Sequence, residues 1–143
     1  MNSFHFEIIT PGGIAFEDDV DMVTAPASEG VVGILPHHAP FFSSLKEGEI
    51  IIKKGSDEFS LSLGGGFITV TPEKTTILVT KAVHADELNA ESVEKAKKAA
   101  EEALKNKPQG EELRAAQSIL RSSLVDLEIL RKIQVKRSAK GRF

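Results

Sequence analysis

The chain has 143 residues, of which 41% are hydrophobic and 27% are charged, values typical of a globular protein rather than a disordered segment. The absence of cysteine excludes disulfides and thiolate metal sites. No apolar run approaches the ~20 residues of a membrane-spanning helix, and without a signal-peptide pattern a cytoplasmic protein is expected. Residues 111–143 hold 8 basic and 4 acidic side chains, a charge of +4, so with −3 overall the first 110 residues carry −7.

Short β-strands are predicted from Phe4 to about Lys81, because apolar and β-branched runs repeatedly end in turn-forming residues. Among them, Phe59, Leu61 and Leu63 alternate with serines, which is the period of two expected of a strand with one buried face. Turn signals recur about every 8 to 12 residues, as they do in sandwiches and barrels. The sequence therefore predicts an antiparallel β-sandwich or flattened barrel.

The stretch Gly30–Pro40 contains two glycines and two prolines and therefore cannot be helical. It is predicted to be a strand end, a turn and a rigid loop that carries His37 and His38 outward. Only His5 and His84 remain as further histidines, and no element has metal-ligand spacing, so no metal site is expected. The two loop histidines are expected either to contact a partner protein or to have no functional role.

Two helices are predicted after the strands, because the apolar period changes there to that of a helix. Residues 85–89 are predicted to be a hinge, and Asn89 is the candidate N-cap of the first helix. The break at Asn106–Gly110 separates it from a second helix at about residues 111–135, which predicts an antiparallel hairpin. The apolar stripes are Val93, Ala96, Ala100, Ala103 and Leu104 in the first helix, and Leu113, Ala116, Leu120, Leu124, Leu127 and Leu130 in the second.

The second helix is predicted to be about ten residues longer than the first, which leaves an overhang of roughly 15 Å. Apolar surface that a molecule cannot bury itself often marks a partner site, and the cations near the overhang predict an acidic partner. The apolar residues of the overhang are Leu124, Val125, Leu127, Ile129, Leu130, Ile133 and Val135, and the cations are Arg131, Lys132, Lys136, Arg137, Lys140 and Arg142.

Three other groups of residues are given structural rather than chemical roles. Gly64–Gly66 lacks the lysine and hydroxyl residue of a phosphate-binding loop, so a tight corner or bulge is predicted. The carboxylates of Glu17–Asp19 are predicted to lie in a solvated turn, since no nucleophile or oxyanion donor accompanies them. Nucleic acid is disfavoured as a partner of the basic tail, because no aromatic residue is interleaved with its cations before Phe143.

Four motifs in this order resemble the epsilon subunits of the rotary F-type ATP synthases. They are Thr10–Gly12, Glu17–Val20, Gly33–Pro36 followed by His38 and Pro40, and Gly65–Phe67, with a helical hairpin after them. Each motif alone would be weak, but the ordered set is specific and extends over nearly the whole chain. The resemblance implies an α+β fold, in which an antiparallel sandwich of about ten strands over residues 1–84 precedes a two-helix hairpin over residues 90–143.

The resemblance also implies a function in which this chain does no catalysis and needs no cofactor. In the family the sandwich binds the gamma subunit and the ring of membrane-embedded c subunits, and it couples ion-driven rotation of that ring to ATP synthesis. By position, Glu29, Val31 and His38 are expected in the loop that faces the c ring, with Val31 where some relatives have an acid. The protein would then be peripheral, held at the cytoplasmic face of a bacterial plasma membrane by its complex.

The hairpin of bacterial relatives switches between a compact state and an extended state that enters the catalytic hexamer of alpha and beta subunits and inhibits ATP hydrolysis. The residues expected to contact an acidic segment of the beta subunits are Arg131, Lys132, Lys136 and Arg137. In the run that matches the ATP-binding motif of some relatives, Asn89 and Ser92 replace aspartate and arginine. Only Arg121 remains as a possible weak ATP contact, so little or no ATP binding is expected.

Two other functions are compatible with the residues themselves. The first is a free-standing interaction module, a sandwich with a helical clamp that binds another acidic complex. The second is a sandwich that binds a small molecule or acts as an enzyme, which would require a ligand pocket and activity in the isolated chain. Co-purification with stalk subunits distinguishes the stalk subunit from the free-standing module.

Overall fold

A computed structural model describes the backbone of residues 3–140 and the side chains of residues 3–135. The chain divides into two compact units, Met1–His84 and Ala85–Phe143. No helix in the described part is long and apolar enough to cross a membrane. The strands are β1 (Phe4–Thr10), β2 (Gly13–Val20), β3 (Met22–Ala27), β4 (Gly30–Ile34), β5 (Phe41–Leu45), β6 (Gly48–Lys54), β7 (Asp57–Leu63), β8 (Gly66–Val70), β9 (Lys74–Val79) and β10 (Ala82–His84).

The first unit is the β-sandwich that the sequence predicts, with the ten strands that the family resemblance implies. Its strand order is β10-β7-β6-β3-β5-β8-β9-β1-β2, with β4 paired to β3, and contacts between β2 and β6 nearly close the sheet on itself. One pairing differs from the antiparallel expectation, because β1 lies parallel to β9. The first strand of the chain is thus inserted between β9 and β2, an arrangement that no local turn signal encodes.

The core of the sandwich is built from inward-facing aliphatic residues on every long strand, such as Ile8 on β1 and Ile52 on β6, both fully buried. Burial of one such side chain stabilises the fold by roughly 1.5–3 kcal/mol relative to leaving it exposed. The predicted alternation on β7 is confirmed for Leu61 and Leu63, which are buried. It is wrong for Ser62, which is 1% exposed, because both faces of the strand are covered at this point.

The glycine run between β7 and β8 has the structural role that the sequence predicts. A Cβ added to Gly66 would collide with the carbonyl oxygen of Leu78, and one added to Gly64 would collide with the hydroxyl of Thr80. At Gly66, glycine is therefore required by the close approach of the β9 backbone.

The second unit begins with a 3₁₀ turn at Ala85–Glu87 and continues with α1 (Ala90–Lys105) and α2 (Glu111–Lys140). The predicted N-cap is confirmed, since the side-chain oxygen of Asn89 accepts a hydrogen bond from the backbone N–H of Ser92 at 3.0 Å. The helix α2 ends five residues beyond the predicted boundary at Val135. At 1.5 Å per residue, a helix of 30 residues is about 21 Å longer than one of 16.

The face of α2 that is buried differs from the predicted stripe. Leu124 is 49% exposed, whereas Ser123 and Asp126 are each 4% exposed. Ser123 lies seven residues after the buried Ala116, which is two turns further along the same face. Leu124 is rotated by about 80° around the helix axis relative to Ala116. A stripe drawn through apolar residues alone therefore missed the polar residues on the buried face.

Candidate functional site

The turn between β3 and β4 and the loop after β4 hold the residues predicted to face the c ring. Val31 is 72% exposed, and Glu29 precedes it in the turn, where Gly30 has a φ of 138° that favours glycine. Glu29 and Val31 line one cavity, but His38 lines another. The structure therefore brings two of the three predicted residues together and separates the third from their cavity.

The His38 side chain is held in the loop after β4. Its Nδ1 lies 2.7 Å from the carbonyl oxygen of Ala39, and its ring packs edge-on against Phe41 with centroids 5.9 Å apart. The neighbouring His37 has a φ of 65°, a conformation uncommon for residues other than glycine. The loop thus has defined local geometry, as its prolines and glycines predict.

An exposed apolar surface lies beside this turn, and we call its residues Phe42, Phe67 and Leu78 the aromatic patch. Phe42 and Phe67 are 66% and 50% exposed, and their rings stack with centroids 5.7 Å apart at 17°. Both line the same cavity as Val31, and Phe67 is the register partner of Leu78. Two neighbouring phenylalanines this exposed on a sheet indicate an interaction surface.

The aromatic patch continues as an apolar row across the sheet. Leu78 on β9 pairs with Ile9 on β1, and Ile9 pairs in turn with Ile14 on β2, which is 60% exposed. This surface could not be recognised from the sequence, because it requires the order of five strands, β5, β8, β9, β1 and β2. The sequence did contain one signal of this surface, because large apolar residues occupy outward-facing positions of their strands.

The cations predicted to contact the catalytic hexamer lie towards the C-terminal end of α2. The Arg131 guanidinium forms an ion pair with Glu128 at 2.6 Å, and this pair lowers the pKa of the Glu128 carboxyl below its usual value. Lys132 is exposed. Lys136 and Arg137 belong to the helix, but their side chains lie outside the described residues, as do those of Lys140 and Arg142.

The other predicted residues of α2 have mixed exposure. Arg121 is exposed. Of the overhang's apolar residues, Leu124 and Val135 are 49% and 62% exposed, but Ile129 is 2% exposed. The prediction that all apolar residues of the overhang are exposed is therefore wrong for Ile129.

A polar cluster that the sequence did not predict lies across β2, β1 and β9. The two ring nitrogens of His5 contact Asp19 at 3.0 Å and Glu17 at 2.9 Å, and these hydrogen bonds raise the pKa of the imidazole. Glu7 is 6% exposed and forms an ion pair with Lys74 at 2.9 Å. The Lys74 ammonium is the main cause of a lowered pKa at Glu7, while burial opposes it.

This arrangement corrects the prediction of a solvated turn at Glu17–Asp19. These residues lie within β2, where Glu17 and Asp19 face the cluster and the intervening Asp18 forms an ion pair with Lys54 at 2.7 Å. Charged residues are common on edge strands, because they oppose aggregation through that edge. A run of acidic residues is therefore as compatible with a strand as with a turn.

The sequence of the chain is similar to that of known proteins. Residues 3–85 match the family model of the ATP synthase Delta/Epsilon chain beta-sandwich domain. The epsilon chain of Herpetosiphon aurantiacus is 37% identical over 123 residues, which are 86% of this chain and 90% of that chain. The epsilon chain of Dehalococcoides mccartyi is 36% identical over 92% of this chain and 95% of its own. The chain belongs to the ATP synthase epsilon chain family, as its motifs predict.

Solved structures share the fold at low sequence identity. A chain of the Euglena gracilis mitochondrial ATP synthase (OSCP/F1/c-ring) matches with a TM-score of 0.65 and 19% identity, over 94% of this chain and 81% of that chain. A chain of the Tetrahymena thermophila mitochondrial ATP synthase (central stalk and c ring) matches with a TM-score of 0.60 and 15% identity, over 87% and 94%. These matches extend over the sandwich and the helices together.

Proposed function

We propose that this chain is a non-catalytic subunit of the ATP synthase central stalk, which couples ion-driven rotation of the c ring to ATP synthesis. The observation that carries the proposal is family membership over nearly the full length, with 90% and 95% of the two named relatives' own chains covered. A closely packed sandwich suits torque transmission, because protein interiors deform little under load. The subunit is peripheral and reaches the cytoplasmic face of the bacterial membrane through its complex.

The gamma subunit is the proposed partner of the aromatic patch. A stalk subunit needs a firm contact to the shaft, and aromatic residues at the centre of an interface supply most of its binding energy. Phe42 and Phe67 are already stacked on rigid neighbouring strands, so little conformational freedom is lost when they dock.

The c ring is the proposed partner of Glu29, Val31 and His38. Val31 is the most exposed of the large hydrophobic residues between positions 3 and 135, so the contact at this position is apolar packing rather than an ion pair. Glu29 supplies the only carboxylate of the three. His38 lines a separate cavity, so its contact with the ring is expected at a different point of the loop.

Inhibition of ATP hydrolysis is the proposed role of α2, acting on the alpha and beta subunits of the catalytic hexamer. The exposed apolar residues Leu124 and Val135, together with the cations that follow, suit an acidic groove. Exposed ion pairs contribute about 0–1 kcal/mol each, so the four proposed cations must act together with these apolar contacts. Arg131 must also exchange its present partner Glu128 for one on the beta subunit.

The test of inhibition is ATP hydrolysis by the purified complex. We expect a several-fold rise when the chain is truncated after Asn106, and a smaller rise when glutamine replaces the four cations Arg131, Lys132, Lys136 and Arg137. The matched control replaces four lysines of α1, Lys95, Lys97, Lys98 and Lys105, and should leave hydrolysis unchanged. An intact complex whose hydrolysis does not respond to either change in α2 would refute an inhibitory role.

Membership of the stalk is tested separately by co-purification of the tagged chain with the gamma and c subunits from cells. Loss of both partners under conditions that preserve the complex would instead favour a free-standing interaction module. This experiment does not depend on the helices, so the two parts of the proposal can fail independently.

A further inference from the structure

We propose that the outer face of β1 and β2 binds a divalent transition-metal ion, with Zn²⁺ as the best fit, through His5, Glu7 and Glu17. One ligand atom from each of these residues lies within 4.8 Å of the other two. The inference rests on side chains that strand pairing brings together, and it is independent of the stalk function proposed above.

The positions of the three ligands are fixed by the strand ladder rather than by a loop. His5 and Glu7 are two residues apart on β1 and so share a face, and Glu7 is the register partner of Glu17 on β2. Glu7 is 6% exposed, so a buried carboxylate forms the floor of the cluster while His5 and Glu17 are open to solvent. An ion could therefore enter from the solvent side.

Asp19 holds the imidazole of His5 in the orientation that a metal requires. Nδ1 of His5 donates to the carboxylate of Asp19 at 3.0 Å, and Nε2 faces the carboxylate of Glu17 at 2.9 Å. A bound metal would take the place of the proton at Nε2, which is released to solvent, while the N–H at Nδ1 stays with Asp19. Histidines that ligate metals commonly donate their other ring N–H to a carboxylate in this way. Asp19 is thus a positioning residue and not a ligand.

The charges and the remaining contacts of the cluster favour a divalent ion. The cluster holds three carboxylates, those of Glu7, Glu17 and Asp19, and one ammonium, that of Lys74. Once the imidazole has released its Nε2 proton, the charge is −2, which one divalent cation neutralises. Among the described residues, Lys74 and Thr76 both contact Oε1 of Glu7. The second oxygen, Oε2, is therefore available to a metal without breaking the ion pair.

The ligand types select the metal. Mg²⁺ and Ca²⁺ prefer sites made of oxygen alone, whereas one imidazole with two carboxylates suits Zn²⁺, with a water completing a tetrahedral site. The same donors suit Co²⁺, which serves as a spectroscopic probe.

The test is calorimetric titration of the full chain with Zn²⁺ after chelator treatment, at neutral pH and with millimolar Mg²⁺ present. We expect one ion per chain with a Kd below about 100 µM. His5→Ala should abolish that binding, Glu17→Gln should weaken it at least tenfold, and Asp19→Ala should weaken it about 10- to 100-fold through loss of orientation. His84→Ala is the matched control and should bind as the unaltered chain does.

Co²⁺ absorption provides a second readout, since tetrahedral bands should appear in the unaltered chain and vanish in the His5→Ala variant. Thermal melting establishes that each variant is folded, and His5 and Glu17 are chosen because neither lies in the core. The proposal is overturned by the absence of saturable binding, and equally by binding that persists unchanged in folded His5→Ala. Either result would identify the cluster as a purely ionic bridge between β1 and β2.

Discussion

Truncation of the two stacked rings of the aromatic patch gives the sharpest test of gamma binding. Phe42 and Phe67 are 66% and 50% exposed, and with about 150–250 Å² per aromatic side chain the pair leaves roughly 200 Å² open to solvent. At about 25 cal/mol per Å² its burial is worth at most about 5 kcal/mol. Because the costs of association offset part of this energy, we expect the double variant Phe42→Ala/Phe67→Ala to lose about 2–4 kcal/mol of binding free energy. This corresponds to a Kd that is roughly 30- to 1,000-fold higher.

The assay is fluorescence titration of labelled chain with purified gamma subunit, using both single variants and the double variant. The two rings touch, so their effects should not add, and the coupling between them should be about 0.5–1.5 kcal/mol. Ile119→Ala is the matched control, because this α2 residue is 48% exposed and lies in the other unit. A folded double variant whose Kd changes less than about threefold would refute the assignment of this surface to gamma.

Three further outcomes are expected. Gly66→Ala should destabilise the sandwich by more than about 3 kcal/mol in chemical denaturation, because its Cβ meets the carbonyl of Leu78, whereas Gly12→Ala should have little effect, since its Cβ has ordinary contacts. Calorimetric titration with ATP should show no saturable binding below about 1 mM. Arg131→Gln should raise the pKa of Glu128 in a carboxyl NMR titration, because the guanidinium now lowers it. That pair stabilises the fold above the ordinary pKa of 4.5 and loses its effect as the pH falls through the lowered value.

The features that the sequence predicted are those encoded by local chemistry. The alternation at Leu61 and Leu63 identified a strand, and Asn89 identified the N-cap of α1, because period and capping involve neighbours only. The parallel pairing of β1 with β9 was not predictable in the same way. It depends on which distant strands meet, and nothing in either strand alone determines that choice.

The same limit explains why the polar cluster was missed. His5 and Glu17 are 12 residues apart and Glu7 and Thr76 are 69 apart, so their meeting depends on the register of three strands. A partial signal existed, since His5 and Glu7 before the turn that follows Thr10, and Glu17 and Asp19 after it, are each two residues apart. A regular hairpin at that turn would nevertheless have aligned His5 with Asp18 and Glu7 with Phe16, because the observed register depends on an irregularity between Ile8 and Ile9.

The burial pattern of α2 connects its sequence to its proposed role. An amphipathic helix is expected to bury its leucines. Here Leu124 and Val135 remain exposed although Ile129 on the same helix is buried. Exposed apolar residues favour binding of α2 to a second partner, which is what the proposed inhibitory role of this helix requires.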